Sequence, residues 1–198
     1  MIRRIAKLIF HNSVIARVLT EIHDSHTYLV QQEFREKYDI HQDARFNGSQ
    51  IELYGGGEIR MGAGSYIGRN SGLQASEGYT IEIGDNCALS HYIRIYTSNR
   101  VADQDLSQSK ELVKGDVSIG DYAWIGAFVF ITEDTAIGEN AVVGAHSVVT
   151  DDLPPHSICA GTPAKVQKFK SYLDDEERQK LANEYSSVLS EKLRNQFD

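Results

Sequence analysis

Residues 119–154 read IGDYAW, IGAFVF, ITEDTA, IGENAV, VGAHSV and VTDDLP. An aliphatic residue returns at every sixth position, as Ile119, Ile125, Ile131, Ile137, Val143 and Val149. An amphipathic helix would bring apolar residues back at three, four and seven, and a half-buried strand would alternate them, so a period of six belongs to neither. It fits a coil with flat sides, stacked on itself. If each hexapeptide is a short strand plus a corner, three of them close one triangular turn. The aliphatic position and the small residue four places later then both face the axis.

The same phase runs upstream through Met61, Ile67 and Leu73 and, after a four-residue slip, through Ile83, Leu89 and Ile95. Seven of these twelve axial residues are followed by Gly, which is expected to relieve the corner where the chain bends. The expectation is a mainly β fold, a parallel β-helix of at least four coils over residues 51–170. An N-terminal helical and polar segment should precede it over 1–50, and a helix should follow over 171–198.

Composition agrees with one soluble domain. The chain has 198 residues, 41% hydrophobic and 24% charged. It shows no apolar run of the ~18 residues that a membrane span needs and no small-residue cleavage site, which suggests a cytoplasmic protein. Cys87 falls on a small inward position and reads as a buried thiol rather than half of a disulfide.

Charge is uneven. Residues 1–20 hold Arg3, Arg4, Lys7 and Arg17 and no acid, leaving 16 basic against 28 acidic residues in the rest. An acidic body argues against nucleic acid. The basic segment repeats apolar residues at helical spacing (Ile2, Ile5, Ile9, then Val14, Ile15, Val18, Leu19). It suits either peripheral contact with an anionic membrane or packing against the body or a neighbouring subunit. Residues 24–50 are polar and carry no clear pattern.

Beyond the repeats, Leu153-Pro154-Pro155 should stop the coil, and Gly161-Thr162-Pro163-Ala164-Lys165 should form a tight extended loop. A final helix should start near Asp174 with Glu177 completing a capping box, and Leu181, Tyr185, Val188, Leu189 and Leu193 should make one stripe along it. Between Ile95 and Ile119 the phase is broken by 18 extra residues, 98–115. They are too polar to fold alone and should lie against a neighbouring subunit and wall a cleft.

The stretch IGDYAWIG, IGENAVVGAHSVV and DLPPHSICAGTPAKV, with the extruded loop before it, resembles the hexapeptide-repeat acyltransferases of the maltose and galactoside O-acetyltransferase type. The resemblance covers about residues 59–170. It implies a left-handed β-helix, a homotrimer, acetyl-CoA as co-substrate in the groove between subunits, and no metal.

Residue by residue, it implies that Trp124 stands near the reacting acyl group and that Ala127 and Ala145 line the pantetheine arm, with His146 beside them. Thr150, Thr162, Lys165 and Lys168 fall toward the nucleotide, where cations suit phosphates. The pattern also departs from the family. Arg100 stands where a His general base is expected, and an arginine cannot deprotonate a hydroxyl. Asp151 replaces a common Lys, and the acceptor-contacting Asn has only Asn70 and Ser71 nearby.

Periodicity offers a replacement. With the loop removed, His91 lies one coil beneath Ala127, which lies one coil beneath Ala145. His91 is then either the general base or a polar surface residue. Asp103 and Asp105 are candidates for orienting the base or binding sugar hydroxyls, and Asn99 and Arg100 for holding the acceptor.

The function expected is O-acetylation of a saccharide, a cell-surface polysaccharide precursor being one case. N-acetylation of an amino sugar and a non-catalytic trimer are the alternatives. A γ-type carbonic anhydrase needs three converging histidines, and of seven only His91 and His146 lie within the coils.

Overall fold

The computed structural model describes residues 13–197, in two units divided between Lys37 and Tyr38. The first unit is one helix, α1, Ser13–Lys37, which extends well into the stretch that carries no clear pattern. Arg35 and Lys37 in its last turn complement the negative end of the helix dipole. Its apolar residues Val14, Ile15, Val18, Leu19, Ile22 and Leu29 are exposed. Arg3, Arg4, Lys7 and the rest of 1–12 lie outside the described residues, and with them most of the basic segment. No described helix is long and apolar enough to cross a membrane.

The second unit is a three-sided parallel β-helix closed by a C-terminal cap. Face one stacks Asp39–Ile40, Glu58–Met61, Thr80–Ile83, Val117–Ile119 and Thr135–Ile137. Face two stacks Arg45–Asn47, Tyr66–Gly68, Ala88–Leu89, Trp124–Ile125, Val142–Val143 and Ser157–Gly161 in parallel. Face three stacks Glu52–Tyr54, Gly72–Gln74, Arg94–Tyr96, Phe130–Ile131 and Val148–Val149. The coil thus begins at Asp39, ahead of the expected boundary at 51. Tyr38 and Ala44, from the stretch that carries no clear pattern in the sequence, are buried in its first turn together with Ile51.

All twelve axial residues are buried, none more than 5% exposed. Register stacks like on like, Ile67 on Leu89, Ile125 and Val143 for example, so each coil covers the aliphatic row of the one below. Each such burial is worth roughly 2 kcal/mol.

The glycines act differently from the expectation. A Cβ on Gly126 would stand 2.6 Å from the backbone nitrogen of Ala145, and one on Gly120 the same distance from that of Glu139. These positions are glycine so that one coil can lie flat on the next. The positive φ of the bend falls two residues later, on Asn70, Tyr92, Phe128 and His146 at one corner and on Asn86, Tyr122, Asn140 and His156 at another. Non-glycine residues accept this at about 1 kcal/mol each.

Residues 98–115 leave the coil after face three and fold on themselves, against expectation. Ser98–Arg100 and Leu112–Lys114 pair as an antiparallel ribbon. At its tip, Asp105 Oδ1 accepts from the Ser107 backbone and hydroxyl at 2.9 and 2.7 Å, and Gln104 bridges to Glu111. Polar side chains supply the closure that a core would otherwise provide.

The prolines do not stop the coil. Leu153 still bridges Ile137, and Ser157–Gly161 stacks on Val142–Val143 before the chain reverses at Gly161 and returns as Ala164–Phe169. Helix α2, Asp175–Glu184, starts with the expected Asp174–Glu177 capping box. The expected single helix is broken beyond it, because Leu189 turns extended to bridge Val166 and Ser190 donates its N–H to Val166 O at 2.9 Å. Ser190 then caps a second short helix, α3, Glu191–Arg194. Val188, Leu189 and Leu193 are buried under this cap.

Candidate active site

Face two and the corner after it carry the site. Phe128 N donates to His91 O at 3.0 Å and His146 N to Ala127 O at 2.9 Å, so His91, Ala127 and Ala145 stand in one column on successive coils. Below His91 comes Arg69, whose carbonyl accepts from Tyr92 N at 3.0 Å. Coils are spaced about 5 Å apart, so the column from His91 to Ala145 runs about 10 Å. Gly68 makes room for the His91 ring: a Cβ there would collide with Nδ1.

Beside this column runs a second one, Arg45, Tyr66, Ala88, Trp124 and Val142. Trp124 is 55% exposed. Ala88 lies between Tyr66 and Trp124, so a notch opens with a methyl floor and two aromatic walls about 10 Å apart, and His91 follows three residues on in the same coil. At the corner, Tyr92 stacks on Phe128 at 4.5 Å and Phe128 on His146 at 4.8 Å. This ladder and the notch went unnoticed in the sequence, although they follow from the same six-residue phase.

Toward the top of the face, Lys165 reaches Asp151 at 3.6 Å and Thr150 donates to the same carboxylate at 3.0 Å. The acid that departs from the family pattern therefore holds a lysine expected at the nucleotide. Thr162 and Lys168 are exposed on the terminal hairpin of the same sheet.

Other candidates fall elsewhere. Ser71 is fully buried, its hydroxyl accepting from Ile93 N at 3.1 Å, so it does not reach an acceptor. Asn99 donates to the Glu133 carboxylate. Asp105 is committed to its turn, and the Ser107 hydrogen bonds hold its carboxyl below the usual range. Asn99, Arg100, Asp103 and Asp105 all belong to the ribbon, which leaves the corner after face three and so stands apart from the His91 column along the chain's own coil.

Residues 116–151 match the family described as bacterial transferase hexapeptide (six repeats). This stretch of the coil carries the bacterial transferase hexapeptide repeat. The resemblance to the hexapeptide-repeat acyltransferases holds in sequence and in fold. Galactoside O-acetyltransferase of Escherichia coli K12 is 34% identical over 111 residues, 56% of this chain and 54% of that protein. Nodulation protein L of Rhizobium leguminosarum bv. viciae is 41% identical over 112 residues, 57% of this chain and 58% of that protein. The chain thus spans little more than half the length of the curated relatives it matches.

Among solved structures, a hexapeptide-repeat acetyltransferase from Vibrio cholerae complexed with acetyl coenzyme A aligns with a TM-score of 0.61 at 26% identity. It covers 80% of this chain and 90% of its own. A galactoside acetyltransferase in complex with coenzyme A gives the same score and identity over 73% and 74%.

Proposed function

We propose that the protein is an acetyl-CoA-dependent O-acetyltransferase acting on a saccharide, with a cell-surface polysaccharide precursor as one such acceptor. The observation that carries this reading is the column of His91, Ala127 and Ala145 beside the Trp124 notch. Two alanines leave a smooth track along which an extended pantetheine arm can approach the backbone. Lys165 and Lys168 supply cations toward the phosphate end. The track leads down to the His91 imidazole, a group of the kind that serves as general base.

In this reading the acceptor sugar lies in the notch, its C–H faces against Tyr66 and Trp124. His91 accepts the proton of the acceptor hydroxyl as that oxygen attacks the acetyl carbonyl. The imidazolium then returns the proton to the departing thiolate, so His91 ends the cycle neutral. The ribbon does not cover the notch of its own chain, which supports an assembly, a homotrimer by resemblance, in which a neighbour's Arg100 and Asp103 approach it.

Titration calorimetry with acetyl-CoA, followed by transfer to a panel of sugars, tests this reading. Binding and transfer to a hydroxyl are expected, and absence of acetyl-CoA binding would contradict it. Arg100 at the usual base position favours the second reading, a non-catalytic trimer, which binds acetyl-CoA without transferring it. N-acetylation of an amino sugar would show as preference for the amine.

A further inference from the structure

Face two and its corner contain no Asp or Glu. Residues 45–50, 66–70, 88–92, 124–128, 142–146, 157–161 and 164–169 include Arg45, Arg69, Lys165 and Lys168 and no acid, in a chain of net charge −8, and of these four cations Lys165 is paired with Asp151 from outside the face. The acids of the coil lie on the other two faces and their corners, Glu82, Asp85, Asp121 and Glu139 on face one and the corner after it, and Glu52, Glu133, Asp134 and Asp151 on face three and the corner after it. Such separation focuses positive potential on one face.

The arginines of the coil divide along the same line. On face one, Arg60 is paired with the Glu58 carboxylate. On face three, Arg94 donates to the carbonyls of Asn70 and Ile93. Arg45 and Arg69, on face two and its corner, meet no carboxylate among the described residues and are exposed. Arg69 lies one coil below His91, and Arg45 one coil below Tyr66, its guanidinium 5.9 Å from that ring's centre.

We infer that the acceptor carries an oxyanion, a carboxylate or a phosphate, held by Arg69 and Arg45 below the notch while its reacting hydroxyl faces His91. The assignment rests on the acetyl transfer proposed above. Guanidinium groups bind planar oxyanions through paired N–H donors. Arg69 stands one coil below His91, about 5 Å, and Arg45 two coils below, about 10 Å, which places the anion on the acetylated sugar itself or on the residue attached to it. Lys165 and Lys168, several coils higher, leave the lower end of the face free for this second anion.

The chain has a single tryptophan, Trp124, in the notch, so its fluorescence reads occupancy directly. The full-length protein is titrated with glucose, glucuronate and glucose 1-phosphate. Saturable quenching is expected from at least one anionic sugar at concentrations where glucose has no effect. The anion that quenches tells carboxylate from phosphate. Arg69→Gln should weaken that response at least tenfold, while Lys180→Gln, which removes a surface charge on α2, should leave it unchanged.

Equal response to glucose, no response to either anion, or a response indifferent to Arg69→Gln would overturn the inference. A parallel transfer assay keeps the two readings apart. Acetylation of glucose but neither anion retains the acetyltransferase and removes the anionic acceptor. Anion binding in a protein that does not bind acetyl-CoA by calorimetry removes the transfer reaction, and the acceptor role with it.

Discussion

The imidazole of His91 lies against Gly68, so close that a Cβ at position 68 would overlap Nδ1. That Cβ would also stand 2.8 Å from the Ser90 carbonyl oxygen. Gly68→Ala should therefore displace the ring and strain the coil together. A loss of about 1–3 kcal/mol in stability is expected by denaturant titration. The kcat for transfer should fall at least tenfold, with KM for acetyl-CoA little changed because the alanine track is untouched.

The track itself is tested from the other end. Ala145 is exposed, so a larger side chain there costs the fold little. Ala145→Leu should raise the Kd for acetyl-CoA at least tenfold by calorimetry while the melting temperature stays within a few degrees of wild type.

Asp151 and Lys165 form a half-exposed pair at 3.6 Å. Such a pair is worth at most about 1 kcal/mol. Asp151→Asn should leave stability nearly unchanged and release Lys165, tightening acetyl-CoA binding about two- to fivefold. The gain should shrink as salt is raised.

Burial pushes the Cys159 thiol up to about 11 and raises that of Cys87 as well. Both thiols are kept neutral in the fold, whereas in the unfolded chain they ionise near 9. The unfolded state then binds fewer protons above that point, so stability is complete below about pH 9 and falls as pH rises toward 11. For Cys159 the loss is about 3 kcal/mol in order of magnitude. Cys159→Ala should flatten this part of the stability profile, and neither thiol should react with a disulfide reagent until the protein unfolds.

The axial rows are legible because one residue type repeats at one spacing, and the same phase alone puts His91 under Ala127. The capping box at Asp174 was equally readable, being a local pattern. The first coil was hidden, since Asp39–Ile40 and Arg45–Asn47 acquire their inward positions only by pairing with later strands. The ribbon over 98–115 was misjudged because its closure comes from Asp105 and Gln104 rather than from apolar residues. Ser71 follows Ile67 by four places, so the six-residue phase itself puts it on the axis, and its resemblance to an acceptor contact is overruled by that phase. The acid-free face was invisible in the overall composition, as it appears only when residues far apart in sequence are stacked.

The most direct test compares wild type with His91→Ala, measuring acetyl-CoA affinity by calorimetry and the rate of acetyl transfer to a saccharide on the same preparations. Unchanged acetyl-CoA affinity with kcat lowered about 10²–10⁴-fold is the predicted result. Transfer at the wild-type rate in His91→Ala would contradict the assignment of the base.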